Sequence, residues 1–497
     1  MRRSRLVALS TSLAISLVLA APTAQAAGPA SAHYARGTEG VFWFLHVSDV
    51  HTGTEMFPGY KQNQDFAYGP VVQTIKPWFF VATGDLVDAS PNGIPTSGQD
   101  PAEWAEYKAL YQNAGLKPDF YFDLPGNHDG YGDYGMTRYL ANSLQGSTNN
   151  ALTTSWTVDT PVGKYLFLGL NSVGNGSPPG FQQPEFRQED ILAAQQALIA
   201  NQDAELVFFL AHHRLTEPTN SDQIVSLMTS LGGGFYLHGD VHEYKEYTDG
   251  DPSIVVNEVN SLGKSKVDNL AVGVVDHNAF VYRATSTQTP WPLVIITAPV
   301  STTLRDGEAN PYAYTVCRDR KDNPVRAVVF GDPQPTAVGA QVGTSPAIAM
   351  KQAGTTGNLW EGELDTSELL AGLTDVTVTA SSGDHGSYQT ITIELVDGPC
   401  DPLPGDPPPD AGPDAQPEAG GSGGSGNDTG GAGGSSGTGG SMTSDAGTDS
   451  GDGVQVVAPV SEDAGCSCTT AGRRGSSAGF GLLGLVGAGV VVRRRKR

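Results

Sequence analysis

Short runs of branched and aromatic residues recur from about Val41 onward, and polar residues follow each run. Their length and composition are typical of buried strands. The runs are FWFLHVSD (42–49), WFFVATGD (78–85), DFYFDLPGN (119–127), YLFLGLN (165–171) and ELVFFLAHH (205–213). Between them, residues 101–114 and 183–201 have helical spacing, with a proline near each start. Strands that alternate with helices predict a layered α/β domain whose functional loops lie at the carboxyl ends of the strands.

The pattern changes after Trp291, where strands separated by turn residues replace the alternation. The strand candidates are WPLVIITAP, PYAYTVCRD, NPVRAVVFGD, DVTVTASS and SYQTITIELVDG. One short helical candidate lies near Ser367. This spacing predicts a small immunoglobulin-like β-sandwich over residues 289–400, with a spacing or docking role rather than a catalytic one. Cys317 and Cys400 bracket the sandwich and are able to pair in an oxidising compartment.

The first 26 residues predict export. Residues 1–26 combine a basic start, a short apolar run and an A-x-A cleavage site at Ala24–Ala26, which is the pattern of a signal peptide. An N-terminal anchor helix is the alternative. We therefore expect the protein to act outside the cytoplasm.

The C-terminal part of the sequence predicts a tether. Residues 401–465 are rich in proline, glycine and serine and hold eleven acidic residues and no basic one, so we expect a disordered linker. Residues 466–497 carry Cys466 and Cys468, then an apolar run, then RRRKR. In that order the segment resembles the C-terminal sorting signal of myxobacterial surface proteins. The resemblance implies processing near Cys466 or Cys468 and retention at the cell-envelope membrane, through a lipidated cysteine or with later release, so we expect a place at the cell surface or outer envelope. An uncut C-terminal anchor is the alternative.

Composition narrows the chemistry. A chain of 497 residues is long enough for two globular units with tails. Its formal charge of −24 disfavours a nucleic acid polymer as partner, because phosphate backbones attract basic surfaces. No cysteine precedes Cys317, so any metal in the N-terminal half must be held by nitrogen and oxygen atoms.

Histidine is scarce but clustered. The chain has ten histidines, and six of them fall into four short blocks at predicted strand ends. Those blocks, together with one aspartate block, are SDVH (48–51), GDLVD (84–88), GNHD (126–129), AHHR (211–214) and YLHGDVHEY (236–244). Each block alone has an ordinary explanation as a turn or cap. Five in succession, each at a strand's carboxyl end, indicate one metal site.

The series D-x-H, G-D-x-x-D, G-N-H-D, H and G-x-x-H resembles the calcineurin-like metallophosphoesterase family, over a domain that we place at residues 38–288. The resemblance implies a four-layer αββα sandwich with two divalent metal ions, for which Mn, Fe and Zn are candidates. The implied ligands of the first metal are Asp49, His51, Asp85 and His242. Those of the second metal are Asp85 as a bridge, Asn127 and His212. His128 would assist the leaving group, and Asp88 would support its loop.

The last block departs from the family pattern. The family has G-H-x-H where this chain has Gly239-Asp240-Val241-His242, so an aspartate stands in place of a histidine. In one interpretation Asp240 replaces the imidazole as a ligand of the second metal, and its charge favours Mn or Fe over Zn. In the other, Asp240 is too short, and His238 substitutes or the second site is weak.

Arg214 is a second departure, because the family often has proline after His-His. An arginine here can contact a phosphate with two parallel hydrogen bonds. The alternative is a surface arginine paired with Glu217.

These observations predict an exported, envelope-tethered enzyme that cleaves small phosphomono- or diesters with water activated by two metals. The alternative from another class is a surface binding protein with a degenerate metal centre. A metal-dependent nuclease is a third possibility, which the acidic charge disfavours.

Overall fold

The computed structural model describes residues 40–94, 96–288 and 291–401. The predicted signal peptide, the C-terminal sorting segment and all of the predicted linker except Asp401 lie outside the described residues. Among the helices that the structure describes, none is both long and apolar enough to cross a bilayer.

The described residues up to 288 alternate strands and helices, as the hydrophobic pattern predicts. The strands are β1 (Val41–Val47), β2 (Phe80–Thr83), β3 (Tyr121–Leu124), β4 (Thr154–Thr160), β5 (Gly163–Gly169), β6 (Ala204–Leu210), β7 (Gly234–His238), β8 (Lys245–Asp249), β9 (Asp251–Glu258), β10 (Leu270–Asp276) and β11 (Ala279–Thr285). The helices are α1 (Tyr60–Phe66), α2 (Val72–Ile75), α3 (Pro101–Asn113), α4 (Asn127–Gly130), α5 (Thr137–Asn142), α6 (Leu144–Asn149), α7 (Gln188–Ala200) and α8 (Ser221–Ser230). A π-helical turn (Ala67–Val71) joins α1 to α2, and a 3-10 turn (Pro91–Gly93) follows β2. All five predicted strands and both predicted helices are confirmed.

The eleven strands form two mixed sheets. The first has the order β11-β10-β1-β2-β3, and the second has the order β4-β5-β6-β7-β9-β8. β1, β2 and β3 are parallel neighbours, as are β5, β6 and β7. Parallel strands end at the same edge of a sheet, so the loops after them are brought together.

Three apolar cores order the layers. Phe42 and Phe44 of β1 pack between the two sheets against Phe167 and Phe208, whose rings stack with centroids 4.5 Å apart. A second core joins the first sheet to α1–α3, and a third joins the second sheet to α7 and α8. β1 is buried on both faces, which explains its unbroken apolar sequence. The mixed α/β fold is confirmed, and its layers run helices, sheet, sheet, helices.

Residues 291–401 form two further sheets. Their strands are β12 (Leu293–Ala298), β13 (Val316–Cys317), β14 (Asn323–Phe330), β15 (Ala337–Val342), β16 (Ile348–Ala349), β17 (Lys351–Ala353), β18 (Leu359–Leu364), β19 (Gly372–Ser382) and β20 (His385–Val396). The sheets, β12-β14-β18-β17 and β13-β20-β19-β15-β16, share one apolar core. The five predicted strands are confirmed, whereas the immunoglobulin-like type and the boundaries at 289 and 400 stay predictions.

Two local features of this region differ in their outcome. The helical candidate near Ser367 is wrong: the Asp365 carboxylate accepts a hydrogen bond from the Ser367 backbone N–H (3.0 Å) and holds the segment in a turn. The pairing of Cys317 with Cys400 is present as a disulfide, with Cα atoms 5.3 Å apart.

The C-terminal sheets do not stand apart from the first region. Phe330 of β14 packs into the core between the first sheet and α1–α3. Its ring contacts that of Trp43, with centroids 5.4 Å apart. Tyr312 also donates its hydroxyl hydrogen to Ser253 O (2.6 Å). A docking role fits these contacts.

Candidate metal centre

The predicted ligands all follow strands at one edge of the two central sheets. Asp49 and His51 come directly after β1, Asp85 after β2, Asn127 at the start of α4 after β3, His212 after β6, and Asp240 and His242 after β7. Side chains separated by almost two hundred positions therefore meet because parallel strands share their carboxyl edge.

A first group of donor atoms surrounds Asp49. Its Oδ1 lies 2.9 Å from His242 Nε2 and 3.7 Å from His51 Nε2. His51 Nε2 also lies 3.6 Å from Asp85 Oδ2. Donor atoms of Asp49, His51 and His242 all fall within 4.8 Å of one another, which suits a single cation.

A second group surrounds His212. Its Nε2 lies 2.8 Å from Asn127 Oδ1, 3.3 Å from Asp85 Oδ1 and 3.7 Å from Asp240 Oδ1. The Asp85 carboxylate thus has Oδ1 towards this group and Oδ2 towards the first. That is the arrangement a carboxylate needs to bridge two cations.

Asp240 and His238, the two candidate ligands of the last block, lie in different surroundings. The Asp240 carboxylate reaches His212, and its backbone N–H donates to Asp49 Oδ2 (2.9 Å). His238 is buried with its Nδ1 beside Gly239 O (2.8 Å) and its Nε2 beside the Tyr247 hydroxyl (3.2 Å). Asp240, rather than His238, is placed among the donor atoms.

His128 lies beside Asp85 with one ring nitrogen engaged. Its Nδ1 is 2.7 Å from Asp88 O, and since a carbonyl only accepts, Nδ1 carries the proton. Nε2 is then an acceptor and lies 3.7 Å from Asp85 Oδ2. Burial lowers the pKa of His128 to about 4, against the opposing effect of Asp85, so the ring is neutral at pH 7.

The backbone is strained where it carries ligands. Five ligand residues that are not glycine have φ in the left-handed region: Asp49 (51°), His51 (47°), Asp85 (50°), Asp240 (71°) and His242 (61°). Each such residue costs of order 1–3 kcal/mol and persists only where its surroundings enforce it. Such clustering is typical of a functional site.

Glycines permit the close packing of these loops. Gly84 has φ of 92°, and a Cβ there would lie 2.7 Å from the His212 ring. A Cβ on Gly239 would collide with Ser48 and with the Asp49 carboxylate. The glycine in each of these two blocks is therefore needed to bring the donor atoms together.

The buried carboxylates and imidazoles hold one another in charged forms. Burial alone would raise the pKa of Asp49 and of Asp85, but the neighbouring histidines outweigh it and hold both pKa values well below the usual range. Burial alone would lower the pKa of His212. The negative charges of Asp85 and Asp49 outweigh burial and hold that pKa well above its ordinary value. Burial raises the pKa of Asp240 to about 6. This anionic set of nitrogen and oxygen donors fits divalent cations.

Three supporting residues were not assigned from the sequence. Asp129 is buried and accepts hydrogen bonds from Leu86 N (2.9 Å) and Gly126 N (2.8 Å), which ties two ligand loops together. The Asn127 amide donates to the Tyr131 hydroxyl (2.7 Å), which fixes the direction of its oxygen. Lys264 Nζ lies 2.9 Å from Asp88 Oδ1. Asp129 follows His128 directly, and Tyr131 lies one helical turn after Asn127, so their positions in the sequence could have indicated a supporting role. No motif lies near Lys264 that would have indicated one.

Asp88, expected to support its loop, has its carboxylate beside the His51 ring and Lys264. Its Oδ1 is 3.0 Å from His51 Nδ1, on the opposite side of the ring from Asp49 and Asp85. A carboxylate in this position orients the imidazole ring.

Arg214 is half-buried beyond His213. Its positive charge opposes the rise in the pKa values of Glu258 and Tyr247 and adds to the lowering of the pKa of His238, both of which are caused mainly by burial. Among the ion pairs of the described residues there is none between Arg214 and Glu217. The substrate contact assigned to Arg214 stays a prediction.

Glu103 is a buried carboxyl group that supports the loop after β2. Its Oε1 accepts hydrogen bonds from the backbone N–H (3.1 Å) and the hydroxyl (2.7 Å) of Ser90, and its Oε2 has no hydrogen-bond partner. Burial raises the pKa of Glu103 to about 7, despite the hydrogen bonds from Ser90. Below about pH 7, Glu103 is therefore mainly protonated in the folded protein.

Glu103→Gln should change how stability depends on pH. The pKa of Glu103 is about 7 in the folded chain and 4.5 as a reference, so the native state holds more protons between these values. Its contribution to stability is complete below pH 4.5 and declines as pH rises to about 7. Glutamine keeps the Ser90 bonds without the charge, so the variant should melt about 2 °C or more above wild type at pH 8 and show no such gain at pH 4.5.

Thermal melts of both proteins from pH 4.5 to 8.5 measure this difference. Glu106→Gln on the same helix, with a side chain 34% exposed, is the matched control and should keep the wild-type dependence. Equal pH dependence of wild type and Glu103→Gln would contradict the assignment.

Comparison with known proteins agrees with this geometry. A sequence model described as calcineurin-like phosphoesterase matches residues 42–244. The Arabidopsis thaliana protein named "Putative metallophosphoesterase" is 28% identical over 231 residues, which cover 42% of this chain and 30% of that protein. Transmembrane protein 62 of Mus musculus is 25% identical over 312 residues, which cover 57% of this chain and 46% of that protein. The chain thus spans less than half the length of either relative.

The likeness of this chain to solved structures is weak. A cold-active protein-tyrosine phosphatase of a psychrophilic Shewanella species shares 14% identity over 49% of this chain and 78% of its own, with a TM-score of only 0.26. The assignment therefore rests on the family match, which spans strands β1 to β7, and on the donor atoms that follow those strands. Residues 42–244 of this chain form a calcineurin-like metallophosphoesterase domain.

Proposed function

We propose that this protein is a dinuclear-metal phosphohydrolase that cleaves phosphomono- or diesters. The observation that carries the proposal is the Asp85 carboxylate, with one oxygen 3.3 Å from His212 Nε2 and the other 3.6 Å from His51 Nε2. Two cations would be held on either side of it, the first by Asp49, His51 and His242, and the second by Asn127, His212 and Asp240. When bound, they supply positive charge for the phosphate oxygens and lower the pKa of water.

The protein's own residues set the charge of this site. Asn127 contributes an oxygen without a negative charge, which keeps the centre more favourable for an anionic ester. Asp240 works in the opposite direction, because it replaces a neutral imidazole with a carboxyl group whose pKa burial raises to about 6. As a ligand of the second cation Asp240 would be ionised, so we expect it to weaken binding of the anionic ester relative to a histidine at this position.

His128 is placed to handle a proton. With Nδ1 committed to Asp88 O, its Nε2 faces the Asp85 side of the centre. We propose that His128 assists the leaving group from this position, through a hydrogen bond that Nε2 accepts from a water molecule or a substrate hydroxyl. Arg214 is proposed as a contact for the substrate phosphate.

Location is a separate part of the proposal. The signal-like residues 1–26, the acidic linker 401–465 and the cysteine, apolar and arginine order of residues 466–497 support export and attachment to the cell envelope. The net charge of −24 supports small phosphoesters rather than nucleic acid polymers as substrates.

The proposal is tested by metal analysis of the purified chain together with hydrolysis assays. We expect close to two divalent ions per chain and turnover of an aryl phosphate, a nucleotide or a phosphodiester. A protein that binds metal but hydrolyses none of these from pH 5 to 9 would leave the surface binding protein as the better account.

Asp240→His separates the enzyme from a degenerate centre. If Asp240 is a working ligand, histidine should change kcat/KM by less than about tenfold and move metal preference towards Zn, because both side chains bind borderline cations. A rise of several orders of magnitude from a baseline near zero would instead identify a degraded site. Asp119→His is the control, since Asp119 is exposed before the amino end of β3, at the opposite edge of the sheet.

A further inference from the structure

Large apolar side chains stand exposed in the loops that surround the metal centre. They occur in the loops after β1, β2, β3 and β5, and are Met56 (68% exposed), Phe57 (39%), Ile94 (59%), Tyr134 (64%) and Phe181 (66%). We call this set the apolar rim. Single exposed apolar residues are ordinary, but a group of them around one site marks an interaction surface.

The four loops of the apolar rim contact one another in sequence. Gly93 packs against the side chain of Glu55, and Gly180 packs against that of Thr96. Gly132 N–H donates to Ser177 O (2.7 Å), and the Gly135 N–H donates to Asn175 O (2.9 Å). Each rim residue is one or two positions from a residue that makes one of these contacts, so all five lie on one connected set of loops.

The apolar rim adjoins the donor atoms directly. Gln182, next to Phe181, donates its amide hydrogen to Asp240 Oδ1 (3.4 Å). Tyr131, three positions before Tyr134, has its ring 4.9 Å from that of His128. An anion held at the centre would therefore have its remaining part beside the rim.

This juxtaposition defines the chemistry of the ligand. A phosphate group suits the cation-binding centre, while the rim would gain free energy only by removing apolar surface from water. A molecule with both properties is an amphiphile. Because the chain carries a net charge of −24, a strongly anionic surface would be repelled, which favours a zwitterionic one.

We propose that the apolar rim docks on a lipid surface and that the substrate is a phosphoester lipid, with its phosphate at the metal centre and its apolar part against the rim. The substrate class rests on the proposed function. The docking itself does not, so the two are tested by different measurements.

Docking is measured with phosphatidylcholine vesicles and the full chain. Phe57→Ser combined with Phe181→Ser should weaken vesicle binding by about tenfold or more, since each phenylalanine loses a side chain that the bilayer would cover. The control is Leu370→Ser combined with Leu373→Ser, which removes two exposed leucines (87% and 72%) from the C-terminal sheets. Both variants keep the apolar run of residues 479–492, so wild type and variants differ only in the substituted side chains.

Equal vesicle binding by wild type and both variants would overturn the docking proposal. So would weakening in the leucine control alone, which would place the lipid contact on the C-terminal sheets. Retention by residues 479–492 would appear as strong binding that neither pair of substitutions changes, and it too would overturn the proposal.

The substrate class is measured with phosphodiesters of increasing alkyl chain length. Wild-type kcat/KM should rise with chain length, and the Phe57→Ser, Phe181→Ser variant should lose that rise. Its activity on glycerol phosphate, a soluble phosphoester without an apolar group, should stay within about twofold of wild type, because such a substrate gains nothing from the rim. No hydrolysis of the soluble ester by wild type would refute the proposed function, whereas hydrolysis without any effect of chain length would refute only the lipid substrate.

Discussion

Asp85→Asn is expected to lower kcat/KM on an aryl phosphate by about 10³-fold or more, the largest effect of any single substitution in this chain. Asp85 is the residue whose two oxygens face the two donor groups, so its replacement weakens both at once. Asparagine keeps one oxygen but presents an amide NH₂ where the second must bind a cation. Activity and metal content of the purified variant measure the effect, and we expect fewer than two ions per chain.

The fold should survive this substitution. Asp85 Oδ1 accepts a hydrogen bond from the His128 backbone N–H (2.9 Å), and the amide oxygen of asparagine can accept the same bond. Asp119→Asn makes the same chemical change at an exposed position before the amino end of β3 and should leave both activity and metal content unchanged. An Asp85→Asn enzyme with more than a tenth of wild-type kcat/KM would exclude the bridging role.

Local patterns predicted the elements that carry the centre. β1, β2, β3, β5 and β6 were visible as apolar runs because β1 to β3 are buried throughout and β5 and β6 are buried on both faces near their carboxyl ends, which removes the alternation of a half-exposed strand. Asp49, His51, Asp85, Asn127 and His212 each follow such a run, whereas Asp240 and His242 follow β7, which was not among the listed runs. Once the strands were assigned, their shared edge was enough to predict that Asp49, Asp85 and His212 meet, although 163 positions (212 − 49) separate the first from the last.

Features that depend on packing between distant segments could not be predicted. Lys264 reaches Asp88 from a loop that carries no motif, and nothing in the pattern near Ser367 distinguishes a helix start from an Asx turn. The burial of Phe330 against Trp43 depends on how the C-terminal sheets dock. The apolar rim is a property of exposure, and neighbouring sequence does not show which apolar residues a fold leaves uncovered.

The sequence did not decide whether Asp240 or His238 is the ligand in the last block. Both residues flank Gly239, and both side chains are able to bind metal. The strand β7 ends at His238, whose side chain is buried beside Tyr247, while the left-handed backbone of Asp240 (φ 71°) turns its carboxylate towards His212. Chain direction after the strand, rather than residue type, decides which of the two joins the centre.

Removal of metal should abolish activity and also destabilise the fold, to a degree that grows with pH. Without cations, the buried Asp49 and Asp85 are neutralised by protons on His242 and His212, whose pKa values those carboxylates raise against the effect of burial. A histidine with a raised folded pKa stabilises fully below its reference pKa of 6.5 and loses that contribution as pH rises through the folded value. Cations replace these protons, so the metal-loaded protein should not show this loss.

The gap in Tm between metal-loaded and chelator-treated protein should therefore be wider at pH 8.5 than at pH 6, reaching about 5 °C or more when free metal is about a hundredfold above its Kd. Adding Mn²⁺ or Zn²⁺ back should restore both Tm and turnover, with an end point near two ions per chain. Asp85→Asn should narrow the gap, whereas Asp119→Asn should keep it. A gap that is absent, or that shrinks as pH rises, would contradict a centre in which protons and cations compete for the same buried carboxylates.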